Sequence, residues 1–343
     1  MDTVGTAVTH SSNGPGILMV SLDFELYWGV RDKMGLESYT ANLLGARDVI
    51  PRLLDLFVES GIHATWATVG FLFFDERDEL LAHLPAVVPG YRNQNLSPYD
   101  HVFHIGPNER KDPFHYGRSL IRRVLQYPGQ EIGTHTFSHY YCLEEGQTLD
   151  EFRADLGAAR AAARQLGIEL KSLVFPRNQW RPDYLAACAE SGIRVVRGHE
   201  QAWMYRPTGG ADSAVKRAFR LADSYVNISG HHGQKPVCCD AGVTNVPSSR
   251  FLRPFSNGLA RLAPFHLRRI RASMKHAAKH GLIYHLWWHP HNSGVHQEEN
   301  LSTLRCILSH FGELAKQYGM ASRSMGELIP QADMASGRDW ALA

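Results

Sequence analysis

The chain has 343 residues, 44% of them apolar, and carries 36 basic against 34 acidic side chains, a net charge of +2. That length allows two domains or one large α/β barrel, and the near-balance of charge argues against a nucleic-acid binder. No apolar run reaches the roughly 18 residues a spanning helix needs.

Residues 1–15 read as a loose arm, polar and without the charged-then-apolar plan of a secretory signal. Ile17-Leu-Met-Val-Ser-Leu22 is nearly all apolar, as in a strand buried on both faces. It runs into Asp23-Phe24-Glu25, and on an extended chain the two acids point to one side. Buried carboxylates are costly unless paired, so two at a strand end need a purpose. Val49, Ile50, Leu53, Leu54, Leu56 and Phe57 predict a helix over 48–60, with Pro51 in its first turn and Gly61 as its stop. Ile62 to Val69, rich in β-branched and aromatic residues, predicts a second strand. From 75 to 128, Pro85, Pro89, Pro98, Pro107 and Pro113 with His101, His104 and His115 suggest short helices and long loops. Loops of that kind often cover active sites.

A short strand over 131–134 feeds His135-x-x-x-His139. Imidazoles four apart share a face of a helical turn, about 5–6 Å between Cβ atoms, which suits two ligands of one divalent ion. Alone the pair is weak, because a chain with 19 histidines holds such spacings by chance. Thr148-Leu-Asp-Glu151 is a capping box that opens an Ala- and Arg-rich helix. Ser172-Leu-Val-Phe175 is a strand followed at once by Pro176-Arg177-Asn178-Gln179. Pro182 starts a helix ending near Gly192, and the strand Ile193–Val196 precedes Arg197-Gly198-His199. Residues 200–247 have weak periodicity. The adjacent Cys238 and Cys239 fall there; five scattered cysteines read as reduced thiols in an intracellular protein. Residues 250–279 are basic and partly amphipathic, either a solvated face or a surface for phosphate groups or the membrane. The strand Leu282–Trp288 leads into His289-Pro290-His291-Asn292, an amphipathic helix follows over 298–318, and residues 331–343 read as a tail.

Strands alternating with helices imply βαβ units around a parallel sheet. The expected fold is α/β, a distorted (β/α) barrel of seven or eight strands spanning 16–330, with insertions near 75–128 and 200–280. Asp23 with Glu25, the His pair, Arg177 and His289 each follow a strand directly, at the end where such barrels place active sites. Two His and one carboxylate hold a divalent ion and leave positions open; such an ion acidifies water and polarises a carbonyl. A spare carboxylate accepts a proton and a His opposite protonates a leaving amine. This is equipment for metal-assisted hydrolysis of an amide or ester.

Ser21-Leu-Asp-Phe-Glu25, Ile62-His-Ala-Thr-Trp-Ala-Thr-Val-Gly70, Glu131-Ile-Gly-Thr-His-Thr-Phe-Ser-His139, Phe175-Pro-Arg-Asn178 and Leu286-Trp-Trp-His-Pro290 together resemble the polysaccharide deacetylases, carbohydrate esterase family 4. The resemblance spans roughly residues 17–329 and is nearest to the intracellular branch of lipopolysaccharide and capsule gene sets. It implies a divalent metal, zinc first, held by His135, His139 and a carboxylate. It further implies a neighbouring acid as base, Arg177 orienting that base, and His289 as acid, with His285 and His291 as rivals. The family has two adjacent Asp where this chain has Asp23-Phe24-Glu25. Order along the chain favours Asp23 as base and Glu25 as ligand, with the reverse open. Trp28, Asn178 and Trp288 are expected to contact the sugar.

The implied substrate is an N-acyl amino sugar, with nucleotide- or lipid-linked forms included, in surface-polysaccharide (O-antigen or capsule) synthesis. Allantoinase-like cyclic-amide hydrolysis, sugar deformylation and a non-catalytic carbohydrate-binding role are the alternatives. The expected location is the cytoplasm, with contact at the inner membrane surface left open and no nucleic-acid partner.

Overall fold

β1 (Ile17–Phe24) is the hub of the sheet. It runs parallel to β9 (Ile283–Trp288) on one side, and on the other to β2 (Ala64–Thr68) and, near its start, to β10 (Ala321–Arg323). β2 continues to β3 (Gln130–Thr134), β4 (Ser172–Val174) and β5 (Val195–Arg197), all parallel. β7 (Thr244–Asn245) pairs with β5, and β8 (Arg250–Phe251) pairs with β9. β6 (Val237–Cys238) is a short antiparallel addition to β7. The computed structural model describes residues 14–329 except 211 and 240. The arm expected over 1–15 therefore lies outside the described residues apart from Gly14 and Pro15, and the tail lies wholly outside them.

The sheet curls until its ends meet. Between β7 and β8 the backbone N–H groups of Val246 and Ser248 donate to the carbonyls of Val196 and Gly198, while those of Ser249 and, just past β8, Leu252 donate to the carbonyls of His285 and Trp287. One extended run over 244–252 thus passes from β5 to β9. The architecture is a distorted (β/α) barrel, as the alternating pattern predicts.

Around it lie α1 (Leu36–Glu59), α2 (Arg77–Ala82), α3 (Tyr99–Val102), α4 (Arg118–Val124), α5 (Leu149–Arg164), α6 (Pro182–Glu190), α7 (Ala214–Asp223), α8 (Ala263–His280) and α9 (Gln297–Tyr318). The expected capping box at Thr148 and Glu151 is formed. α1 starts twelve residues before the predicted helix, so Pro51 sits in its interior. Ser, Thr, Asn and Gly dilute the apolar signal over 36–47, but Leu43, Gly45 and Ala46 are buried there. Packing, not propensity, extends the helix.

Strand alternation sorts the barrel into two environments. Leu18, Val20, Leu22 and Phe24 of β1 and Tyr284, Leu286 and Trp288 of β9 join the large core beneath the helices. Burying each contributes about 1.5–3 kcal/mol. Met19 packs with Ala67, Val174, Val195, Val246 and Ile283 as a small plug inside the barrel. The outer shell carries most apolar burial, and the interior beyond the plug, towards the carboxyl ends, is left for polar groups.

Candidate active site

Ser21 and Asp23 follow Met19 on the inward face of β1. Asp23 meets Arg197, the last residue of β5, in a two-pronged pair: Nη1 to Oδ1 at 2.6 Å and Nη2 to Oδ2 at 2.8 Å. Arg197 also donates to Ser21 Oγ (3.0 Å) and Asn178 Oδ1 (3.2 Å) and lies over the Trp287 ring. Burial would push the Asp23 carboxyl up, but Arg197 and the nearby imidazoles outweigh it and hold it below its usual range. His285 lies one layer deeper, 2.9 Å from Ser21 Oγ through Nε2. Burial, then Arg197, lowers it to about 3, so it is a neutral core histidine.

Glu25 lies just past β1, followed by Leu26 in the left-handed region. Its carboxylate packs on Gly29, where a Cβ would come within 1.9 Å of Glu25 Cδ; only glycine fits. Glu25 Oε2 is 3.3 Å from His135 Nε2 and 3.1 Å from His139 Nε2. Burial opposes ionisation of Glu25, yet His289, His135 and His139 hold its carboxyl well below the usual range.

The segment 135–139 is an irregular loop and not the helical turn that the spacing suggested. Thr136 and His139 have positive φ. Asp155 of α5 pins the loop by accepting from the N–H of Phe137 (2.6 Å), the N–H of Ser138 (3.1 Å) and the Ser138 hydroxyl. Burial pushes the Asp155 carboxyl up to about 6. Leu26, Thr136, His139, Arg177 and Asn178 are all left-handed non-glycine residues at this end of the barrel. Each such conformation costs on the order of 1–3 kcal/mol and persists only where its surroundings impose it.

Glu25, His135 and His139 are the one cluster of potential metal ligands among the described residues, and their chemistry fits a divalent ion. His135 Nδ1 is 2.7 Å from the Val174 carbonyl, which only accepts, so Nδ1 carries the hydrogen. In the neutral ring Nε2 then turns a lone pair towards Glu25, an arrangement that calls for a cation between them. Donors bound tetrahedrally to zinc at about 2.0–2.2 Å lie about 3.3 Å apart, close to the spacing found. The Nδ1 of His139 is hydrogen-bonded to the Tyr141 hydroxyl (3.0 Å). Such outer partners fix ligand rings in metal sites.

His289 Nε2 lies 3.6 Å from Glu25 Oε1 and 3.8 Å from Asp23 Oδ2. It lines a cavity of about 810 Å³ together with Trp287, Asn178 and Phe251. His291 stacks on His289 but is buried and lowered to about 3, chiefly by burial. Asp23, Glu25, His135, His139 and His289 are thus brought together.

Three expected residues make other contacts than the sequence suggests, although Arg177 still lines the same cavity. Arg177 does not touch Asp23: it pairs with Asp32 and Glu144 and lies over the Tyr141 ring, and the cation on Asp23 is Arg197. Trp288 points outward into the core against Phe57, because its parity is opposite to that of His285 and Trp287; Trp287 lines the cavity instead. Trp28 is buried against Phe71, its Nε1–H donating to the His115 carbonyl. Asn178 does line the cavity. A second cavity of about 720 Å³, at the opposite end of the barrel, is bounded by Glu131, Lys171 and Arg323 and holds none of these groups.

No family model matches the chain, and no curated protein matches it. Solved structures do. A putative polysaccharide deacetylase from Mycobacterium smegmatis superposes over 98% of each chain with 17% identity and a TM-score of 0.57. A GH57-type branching enzyme from Pyrococcus horikoshii is 12% identical, with 92% of this chain and 70% of that chain covered and a TM-score of 0.52. The α-amylase AmyC from Thermotoga maritima is 10% identical, covering 92% and 74%, with a TM-score of 0.52. At these identities the likeness is one of fold. The molecule belongs to this class of distorted α/β barrels, and its buried Glu–His–His group is the feature from which a function can be argued.

Proposed function

We propose that the protein is a metal-dependent amide hydrolase that removes an N-acyl group, acetyl first, from an amino sugar. The observation that carries this is the Glu25–His135–His139 group beside an Arg-clamped Asp23 and a cavity-facing His289. The fold alone does not choose, since it is shared with structures named as a branching enzyme and an α-amylase. Glycosidases need two carboxyl groups free to donate a proton and to attack or activate water. Here Glu25 faces the Nε2 atoms of two imidazoles, at 3.3 Å and 3.1 Å, so no second free carboxyl group stands beside Asp23, which disfavours that chemistry.

Glu25, His135 and His139 would hold the ion, with zinc the best match to two nitrogens and one oxygen. When bound, the ion supplies Lewis acidity for the acyl carbonyl and for water. Arg197 keeps Asp23 ionised and aimed into the barrel mouth, where Asp23 takes a proton from the attacking water. His289 Nε2, on the cavity side, gives a proton to the departing amine. Trp287 and Asn178 form part of the wall that meets the sugar. The setting we infer is cytoplasmic surface-polysaccharide synthesis on a nucleotide- or lipid-linked sugar. Metal analysis alongside hydrolysis of N-acetyl sugars, N-formyl sugars and ureides tests the reading. The expected result is one divalent ion per chain, with both ion and N-acetyl hydrolysis lost in His135→Ala. Full activity in metal-free His135→Ala protein would overturn it.

A further inference from the structure

Seven cationic and four acidic side chains line the 810 Å³ cavity beside His289. The acids are largely occupied. Asp32 and Glu144 take Arg177, Asp212 takes Arg220, and Glu200, whose carboxyl burial pushes up, accepts from Ser248. Arg206, Arg217 and Arg253 form no ion pair among the described residues. Arg253 is drawn into the wall by Ser224 Oγ, which accepts from its Nε at 2.8 Å. Burial and the neighbouring Arg220 and Arg250 depress its pKa, as expected of a guanidinium that lacks a counter-charge. Arg250, 2% exposed, uses Nη1 on Asp223 and Tyr205, while its Nε and Nη2 have no hydrogen-bond partner.

Asp212 answers Arg220 and Asp223 answers Arg250, so Arg217 and Arg253 leave an excess of positive charge beside them, which is unfavourable unless something brings the missing charge. Arginine forks match phosphate oxygens in geometry as well as charge. We infer that the part of the cavity walled by Arg217, Arg220, Arg250 and Arg253 is a phosphate subsite, which takes the phosphate or diphosphate of a phosphorylated N-acyl sugar while the acyl group faces His289. The inference rests on the proposed function for the acyl end only; the phosphate end stands on the arginines. α7 supplies Arg217 and Arg220 to the cavity while Val215 and Phe219 on the same helix are exposed. The phosphate can accordingly arrive on a soluble nucleotide or on a prenyl lipid.

Calorimetry with inorganic phosphate and with N-acetylglucosamine 1-phosphate tests the subsite directly. Binding is expected, weakened tenfold or more in Arg253→Met and largely kept in Arg253→Lys. Arg217→Ala, at an exposed helix position, gives a second variant that keeps the test open if Arg253→Met fails to fold. The wild-type protein should also hydrolyse phosphorylated N-acetyl sugars with kcat/KM at least tenfold above their unphosphorylated forms, and Arg253→Met should narrow that ratio. Comparing a nucleoside-diphosphate sugar in water with a prenyl-diphosphate sugar in vesicles identifies the carrier, and a preference for either supports the subsite. N-acetyl hydrolysis without phosphate binding or preference overturns the subsite and leaves the hydrolase reading standing. Arg253-dependent phosphate binding without any amide hydrolysis does the reverse.

Discussion

Arg197 grips both oxygens of Asp23 across the barrel interior, from β5 to β1, strands that are not neighbours in the sheet. Removing one partner of a buried pair leaves an uncompensated charge and costs about 3–5 kcal/mol. Arg197→Met should lose stability of that order in urea denaturation, and Asp23→Asn added to it should restore a substantial part. Arg177→Met, whose pairing with Asp32 and Glu144 is partly exposed, should cost clearly less. Equal losses in the two arginine variants would contradict the assignment.

Gly29→Ala should act on the metal group without changing any ligand. A methyl there collides with the Glu25 carboxylate and must push it from His135 and His139. Changes around metal ligands typically cost about 10–100-fold in affinity, so a chelator competition should show a loss of that size. An unchanged affinity would mean that Glu25 is not the third ligand. Glu25→Gln and Asp23→Asn, run alongside, separate the two acids.

Asp155→Ala should loosen the loop that carries both histidines. Its carboxylate satisfies two backbone N–H groups and one hydroxyl, and buried donors left unsatisfied cost about 1–3 kcal/mol each. The expected outcome is a destabilised protein with weakened metal binding although His135 and His139 remain. Wild-type metal affinity in a folded Asp155→Ala variant would show that the loop holds its shape without it.

Acid should attack the cavity wall through Asp223. This carboxylate is fully buried with Arg250 and Arg269; burial raises its proton affinity, but Arg250 and the surrounding hydrogen bonds more than reverse that. A depressed folded pKa stabilises above the unfolded value of about 3.9, and that contribution drains away as pH falls below it towards the folded value. Asp223→Asn should therefore lose most stability at neutral pH and show a flatter acid limb below pH ~4. A mutant curve parallel to wild type through that range would count against the ion hub.

The strand ends that carry Asp23, Glu25, His135, His139 and His289 could be read along the chain because each follows an apolar run, and the parallel fold gathers such ends on one face. The Asp23–Arg197 pair could not be read in that way. The two lie 174 positions apart, and Arg197 differs in no local respect from Arg177, which follows its own strand. The tryptophan was decidable in principle. Period-two alternation puts Trp287 with His285 and His289, so once His289 faces the site, Trp288 must face away. The loop form of 135–139 was hidden because its cause, Asp155, lies in the next helix, and the long start of α1 was hidden because its burial comes from tertiary packing.

The run over 244–252 joins the two ends of the barrel through ladders only two residues long. The strands at the centre of the wall, β9, β1, β2 and β3, pair instead over five or six residues. In a barrel built this way, cooperative units of lowest opening free energy lie where fewest backbone hydrogen bonds are shared. The amides of Val246, Ser248 and Ser249 should therefore take up deuterium from solvent well before the amides of β1 exchange.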